Sequence, residues 1–195
     1  MIYRFDMFEE AEEFLKKDKY IAPLVKKWGS CTIKPIAKEK YFKDLVDAIC
    51  SQQLSIKAAK TIFDRLKKLI RKITPNNILS KKDEDLRNCG LSWQKIKYIK
   101  DLSNKVGSGD LDLKNMDKLS DDEVIETLVK VKGIGRWTVE MFLMFSLARP
   151  DIYPVDDLGI KKAMSKLNLK SSNRWKPYRT VASWYLWRSL ENSPE

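Results

Sequence analysis

The chain has 195 residues and not one histidine. Histidine-based triads, histidine general bases and histidine metal sites are therefore excluded. Cysteine is scarce as well. Cys31, Cys50 and Cys89 lie far apart, form no Cys-x-x-Cys pair and cannot supply four thiolates, so a structural zinc or an iron–sulfur cluster is not expected. The same sparse, odd count argues against a disulfide framework and suits a reducing compartment. No apolar run reaches the about 18 residues a membrane span needs. The start, Met1-Ile-Tyr-Arg-Phe-Asp followed by Glu9-Glu10, does not read as a signal peptide. Alternation of the strand type is confined to 2–5 and 31–36, which read equally well as extended coil.

What is present is positive charge. Lys and Arg number 38 against 27 Asp and Glu, a formal net charge of +11. That excess favours a polyanionic partner, nucleic acid ahead of a membrane surface, although a basic face kept for solubility also fits it. The hydrophobic share, 43%, is that of an ordinary globular protein and rules out wholesale disorder.

The periodicity predicts an all-α chain. Helices are expected over 8–15, 21–28 (ended by Gly29-Ser30), 42–50, 55–70, 78–86 and 93–106 (stopped by Gly107-Ser-Gly109). Ser120-Asp-Asp-Glu123 is a capping-box signature, opening a helix to about residue 130. The stretch 136–147 is apolar nearly all round, the mark of a buried helix. Helices over 158–167 and 181–190 complete roughly eight to ten, in one domain over 1–195 with two lobes flanking a cleft. The run 57–72 holds seven basic residues and one acid, Asp64, which a solvated helix face explains for the most part.

Two short segments carry chemistry. In 128–141 a Gly133-Ile-Gly135 turn joins two helical stretches. Glycines allow a tight turn and close approach of another chain, so outward amides can meet a phosphate, helped by the N-terminus of the following helix. Ile134 would plug back between the helices, and Lys130, Lys132 and Arg136 add charge. An ordinary helix connection also uses glycines, and such a contact positions without reading sequence. The second segment is Pro154-Val-Asp-Asp157. One aspartate there is explained as an N-cap; two are more than a cap requires. On a nucleic-acid-binding face an acid is repelled by phosphate, so it needs a reason, and stabilising a developing positive charge is one.

Together VKGIGRWTVEM and PVDDLGIKKA resemble the helix-hairpin-helix Gly/Pro/Asp superfamily of DNA glycosylases, within it the 3-methyladenine DNA glycosylase II (alkylbase) branch. AICSQQLSIKAAKTI at 48–62, GLSWQKIKYIKDL at 90–102 and RWKPYRTVASWYLWR at 174–188 extend the likeness over about 40–190, with the hairpin motif at about 121–147. The extra N-terminal β-rich domain of some members is not expected, since about 40 residues precede the match.

The resemblance implies roles. Asp157 matches the catalytic carboxylate and Asp156 a structural neighbour. Lys132, Gly133, Ile134, Gly135 and Arg136 match the DNA-binding hairpin. The carbonyls of Val129, Val131 and Ile134 match the positions that hold a monovalent cation, Na+ or K+, in related proteins; no other cofactor is implied. Gln53, with Leu54 beside it, falls at the wedge that fills the gap left by a flipped nucleotide. Trp137 and Trp187 match aromatic positions of the base pocket, while Met141 and Leu158 stand where some members carry aromatics. Members that also cut the backbone place a lysine nucleophile where Trp137 stands here, so base removal without Schiff-base chemistry is implied. The implied activity is release of alkylated bases of the 3-methyladenine type in base excision repair. Removal of oxidised or deaminated bases on the same fold, or DNA binding without catalysis, are the rivals. The implied partner is double-stranded DNA with damaged bases, met by a monomer in the cytoplasm (at the nucleoid) of a microbe or in a eukaryotic nucleus, away from membranes.

Overall fold

The computed structural model describes residues 6–191, in which helices and loops occur and no strand does. The stretch 2–5 lies outside the described residues; 31–36 is coil. The chain divides into two compact units: a central one, Ile36–Phe142, and one made from both ends, Met1–Pro35 with Leu143–Glu195.

In the central unit, α3 (Tyr41–Ser51), α5 (Pro75–Leu79) and α6 (Asp83–Asn88) pack on α7 (Trp93–Ser108), α4 (Ile56–Ile70) packs on α3, and α8 (Asp121–Leu128) packs on α9 (Arg136–Met141). The buried side chains of α7, Ile96, Ile99 and Ser103, recur at helical spacing, and α3 answers with Leu45, Val46 and Ile49. Ser55 caps α4, Ser92 caps α7, and Ser120 with Glu123 closes the expected capping box.

In the other unit, α1 (Asp6–Leu15), α2 (Ala22–Trp28) and α10 (Leu158–Lys166) pack on α11 (Arg179–Arg188). Residues Thr180 to Leu186 of α11 are all buried, so this helix is the unit's axis. Arg179 grips Asp151 with Nε and Nη2, at 2.7 and 2.9 Å, and Thr180 Oγ1 donates to the Arg149 carbonyl while accepting from the Ile152 amide. The loop leading to Pro154 is thus hung on the start of α11. Glu12, buried on α1, accepts from the Cys31 amide and the Ser30 hydroxyl and ties down the chain after α2.

Several expectations are corrected. The described residues contain eleven α-helices, more than eight to ten. The single helix over 78–86 is two, α5 and α6, because Thr74-Pro75 opens a helix: Thr74 accepts from the Asn77 amide, and proline at the first position costs no bond. Asp83, Glu84 and Asp85 then start α6 afresh. Helix α7 runs through Gly107 and Ser108 and stops at the left-handed Gly109, while α8 ends at Leu128, short of residue 130. The expected helix over 136–147 is α9 followed by a π-helical turn, Phe142–Ser146. That wider turn leaves Phe145 39% exposed between the buried Met144 and Ser146.

Burial raises the thiol pKa of Cys31 and of Cys50 to about 12 each, and pushes that of Cys89 up as well. The neutral thiol is a poor nucleophile, so a thiol-reactive disulfide at about pH 8 is expected to label the native protein slowly and all three cysteines quickly once urea unfolds it. Rapid stoichiometric labelling of the native protein would contradict this packing.

Candidate active site and DNA-binding hairpin

The two aspartates of the Pro154-Val-Asp-Asp157 segment have different fates. Asp156 is exposed and pairs with Lys161 Nζ at 2.9 Å. Asp157 is half-buried and caps α10: its Oδ1 accepts the Ile160 amide at 2.8 Å. The same oxygen accepts the indole Nε1–H of Trp187, on α11, also at 2.8 Å. Trp187 in turn lies 5.8 Å from the Phe145 ring, tilted by 32°. Gly159 lets this happen. A Cβ there would stand 2.9 Å from Trp187 Cδ1, closer than real side chains come, and 3.0 Å from Asp157 Oδ1, a tight contact. Around the acid the unit shows apolar surface: Leu158 is 81% exposed and Val155 52%. Asp157 is therefore an N-cap and more, a carboxylate held from two helices at an apolar surface.

In the central unit the hairpin follows α8. Gly133 has φ of +80°, which glycine adopts without strain. A Cβ on Gly133 would fall inside the Tyr98 ring, 2.5 Å from Cε2 and nearer still to Cγ. Not all the turn's amides face outward, as the sequence led us to expect. Ile134, buried as anticipated, donates to the Val131 carbonyl at 3.1 Å, and the Lys132 amide donates to Asp101 Oδ2 at 3.0 Å. Gly135 opens α9 with no side-chain cap, which leaves the first turn of that helix to solvent or a ligand. Arg136 is aligned by Glu140, Nε to Oε1 at 3.0 Å, with most of its guanidinium side exposed.

The loop Ser51–Leu54 is built against the hairpin. Gln52 Nε2 donates to the Gly133 carbonyl at 2.8 Å. Lys95 Nζ donates to the carbonyls of Cys50 and Gln52, both at 2.7 Å, and its burial pushes this ammonium below the usual lysine range. Gln53, next in line, is exposed with φ of +55°, a left-handed conformation that costs a non-glycine residue about 1–3 kcal/mol. Leu54 is 39% exposed beside it. Trp137, on the first turn of α9, is 45% exposed, and Met141 is half-buried. A groove of about 470 Å³ between α3 and α4 is lined by Leu54, Ile56, Lys43 and Lys60.

The structure thus joins Asp157 to Trp187, with Leu158 adjacent, in one unit, and the hairpin to the Gln53 loop in the other; Trp137 and Met141 belong to the latter. Sequence reasoning passed over Gln52, Lys95, Tyr98, Asp101, Phe145 and Gly159. Positions 95, 98 and 101 were readable: three apart on α7, they share a face, and none is apolar core. Gln52 and Gly159 carried no such local sign.

Among the described residues no His, Cys, Asp and Glu cluster could hold a metal, and no helix is long and apolar enough to cross a membrane. The family model for HhH-GPD superfamily base excision DNA repair proteins matches residues 46–188, and the chain belongs to that superfamily. It is 40% identical to DNA-3-methyladenine glycosylase 1 of Schizosaccharomyces pombe over 167 residues, 78% of this chain and 73% of that protein. The alkylbase DNA glycosidase-like protein mag2 of the same yeast is 33% identical, over 93% of each chain. The solved structure of the Schizosaccharomyces pombe 3-methyladenine DNA glycosylase Mag1 in complex with abasic DNA superposes with a TM-score of 0.81 at 36% identity, covering 92% of this chain and 96% of that one.

Substituting Gly133 with alanine combines left-handed strain with overpacking against Tyr98, and is expected to destabilise by about 2–4 kcal/mol. Urea unfolding measures it. Adding Tyr98→Ala should recover the overpacking part alone. Wild-type stability in Gly133→Ala would refute this account of the turn.

Proposed function

We propose that this protein is a monofunctional DNA glycosylase that hydrolyses the N-glycosidic bond of alkylated bases, 3-methyladenine above all, in base excision repair. Membership of the repair superfamily, with relatives named for this activity, supports the substrate class. The observation that carries the chemistry is the placement of Asp157, its Oδ1 held by Ile160 and Trp187 amid exposed apolar side chains.

A base inside a duplex cannot be attacked in place, so the nucleotide is flipped out at a cost of a few kcal/mol, less for a damaged pair. Gln53, with Leu54, fills the gap, and the strained left-handed Gln53 on a loop braced by Lys95 suits a residue that must stay extended toward DNA. The hairpin 132–136 holds the strand by its backbone at the uncapped start of α9, with Lys132 and Arg136 supplying charge. The carbonyls of Val129, Val131 and Ile134 lie beyond the end of α8, that of Val131 already accepting the Ile134 amide, and three neutral oxygens suit Na+ or K+ better than a transition metal. Such an ion would stiffen the turn; the chemistry does not pass through it. Trp137 stacks on the flipped base, worth about 1–3 kcal/mol, and its aromatic face favours a cationic one. Met141 lies on the same helix as Trp137, and in the other unit Trp187 and Leu158 give apolar surface beside Asp157.

A methylated purine already carries positive charge, so it leaves without a general acid, which accords with a chain free of histidine. The C1′–N bond breaks and its electron pair departs with the base, whose charge is thereby cancelled. The sugar becomes oxocarbenium-like and Asp157 stabilises it. Water adds its oxygen to C1′ and gives up a proton to Asp157 or to solvent. The products are the free base and an abasic site. With Trp137 where a lyase needs lysine, no Schiff base forms and the strand stays intact. The family model crosses both units, which supports one functional domain; it acts on damaged duplex DNA, as a monomer, wherever the cell keeps its DNA.

The test is base release from duplexes carrying 3-methyladenine, hypoxanthine or 8-oxoguanine, read with and without alkali. Release of 3-methyladenine is expected, with strand breaks only after alkali. Asp157→Asn should lower the rate on the order of 10²–10³-fold or more while DNA affinity holds or improves, a phosphate-repelling charge having gone. Exclusive release of 8-oxoguanine would refute the substrate class; full activity of Asp157→Asn would refute the mechanism; tight binding with no release of any base would leave a DNA-binding module.

A further inference from the structure

We infer that Trp187 acts on the reaction through its indole N–H, as the residue that positions the Asp157 carboxylate, and that Gly159 is the space that permits it. The inference rests on the reading of Asp157 as the catalytic carboxylate.

Three observations carry it. First, capping α10 requires one bond, and Ile160 supplies it. The Trp187 bond to the same Oδ1 is additional and comes from a different helix. One donor leaves a carboxylate able to pivot about that contact. Two donors converging on one oxygen from separate elements set both the oxygen and the plane of the group. Second, Gly159 occupies the second helical position of α10, where glycine is the poorest choice after proline. Its φ is not in the left-handed range, so no turn geometry asks for it. What does ask for it is contact: a methyl group there would meet Trp187 Cδ1 at 2.9 Å, Nε1 at 3.1 Å and Asp157 Oδ1 at 3.0 Å, the very atoms of the bond and its neighbour. Third, the helix that carries Trp187 also fixes the near end of the same loop. Arg179 and Thr180 hold residues 149–152, and Trp187, two turns along, holds residue 157. Helix α11, buried throughout Thr180–Leu186, is thus the rigid frame from which the acid is aimed. The Phe145 ring, raised by the π-helical turn, lies against Trp187 and restrains its tilt.

A stacking wall and a positioning donor make different demands on the same side chain. A wall needs an aromatic face, which phenylalanine keeps. A donor needs the nitrogen, which phenylalanine lacks. The experiment is single-turnover and steady-state base release from 3-methyladenine DNA by Trp187→Phe, Gly159→Ala, the double variant and Asp157→Asn, each first checked for folding by its urea midpoint. Trp187→Phe is expected to lower kcat on the order of tenfold, about 1.4 kcal/mol, with KM and abasic-DNA affinity within about twofold of wild type, since truncation of a transition-state contact leaves ground-state binding alone. Gly159→Ala, which keeps the ring and its nitrogen, should lower kcat by a similar factor. The double variant should be no slower than the worse single one, because both break a single contact. Wild-type kcat in Trp187→Phe overturns the inference, whatever Gly159→Ala does. A loss appearing in KM alone, or losses that multiply in the double variant, overturns it as well. Asp157→Asn separates the two levels: if it stays active the catalytic reading itself falls, and if it alone is inactive only the positioning role falls.

Discussion

Two N–H groups converge on one carboxylate oxygen, Asp157 Oδ1, and the proposed chemistry stands on that convergence. An acid close to phosphate is poorly placed for binding. It earns its position only if it is aimed at charge that appears during the reaction, and aim needs rigidity. Backbone capping supplies one constraint and the indole another, and both helices are anchored in a core that includes Ile160, Val181, Ala182 and Tyr185. Preorganised groups of this kind stabilise a transition state without having to reorient as it forms.

The central unit solves a different mechanical problem with the same device. Helix α7 presents Lys95, Tyr98 and Asp101 from one face. Lys95 holds the carbonyls that end α3, Tyr98 fills the space beneath Gly133, and Asp101 takes the Lys132 amide. Gln52 then bridges the loop to the hairpin. The hairpin and the Gln53 loop, the proposed grip and wedge, are therefore both braced by one helix. A strained residue such as Gln53 persists only where its surroundings over-determine it, and this loop meets that condition.

Much of this was legible in the chain itself, for reasons that are local. Ser120 and Glu123 declare a helix start because the capping box is complete within four residues. The buried Ile134 between two glycines follows from a short turn between helices. Failures were local too. Thr74-Pro75 was read as an ending when it is a beginning, since proline both stops a helix and suits the first turn of the next. The apolar run 136–147 could not disclose a π-helical turn, because a stretch that is apolar nearly all round has no polar face whose drift would reveal the change of pitch.

Composition and motif by themselves determined the all-helical class, the net positive charge, the exclusion of histidine chemistry and the repair superfamily, because each depends on residue types or on neighbours a few positions apart. The different surroundings of Asp156 and Asp157 were decided otherwise. Both have the same chemistry and nearly the same place in the chain, yet one meets Lys161 in solvent and the other meets an indole thirty residues away. Gln52 likewise finds its carbonyl across eighty-one residues. Contacts of that span leave no periodic trace in a sequence. They exist only once folding has brought separate helices to within a hydrogen bond of each other.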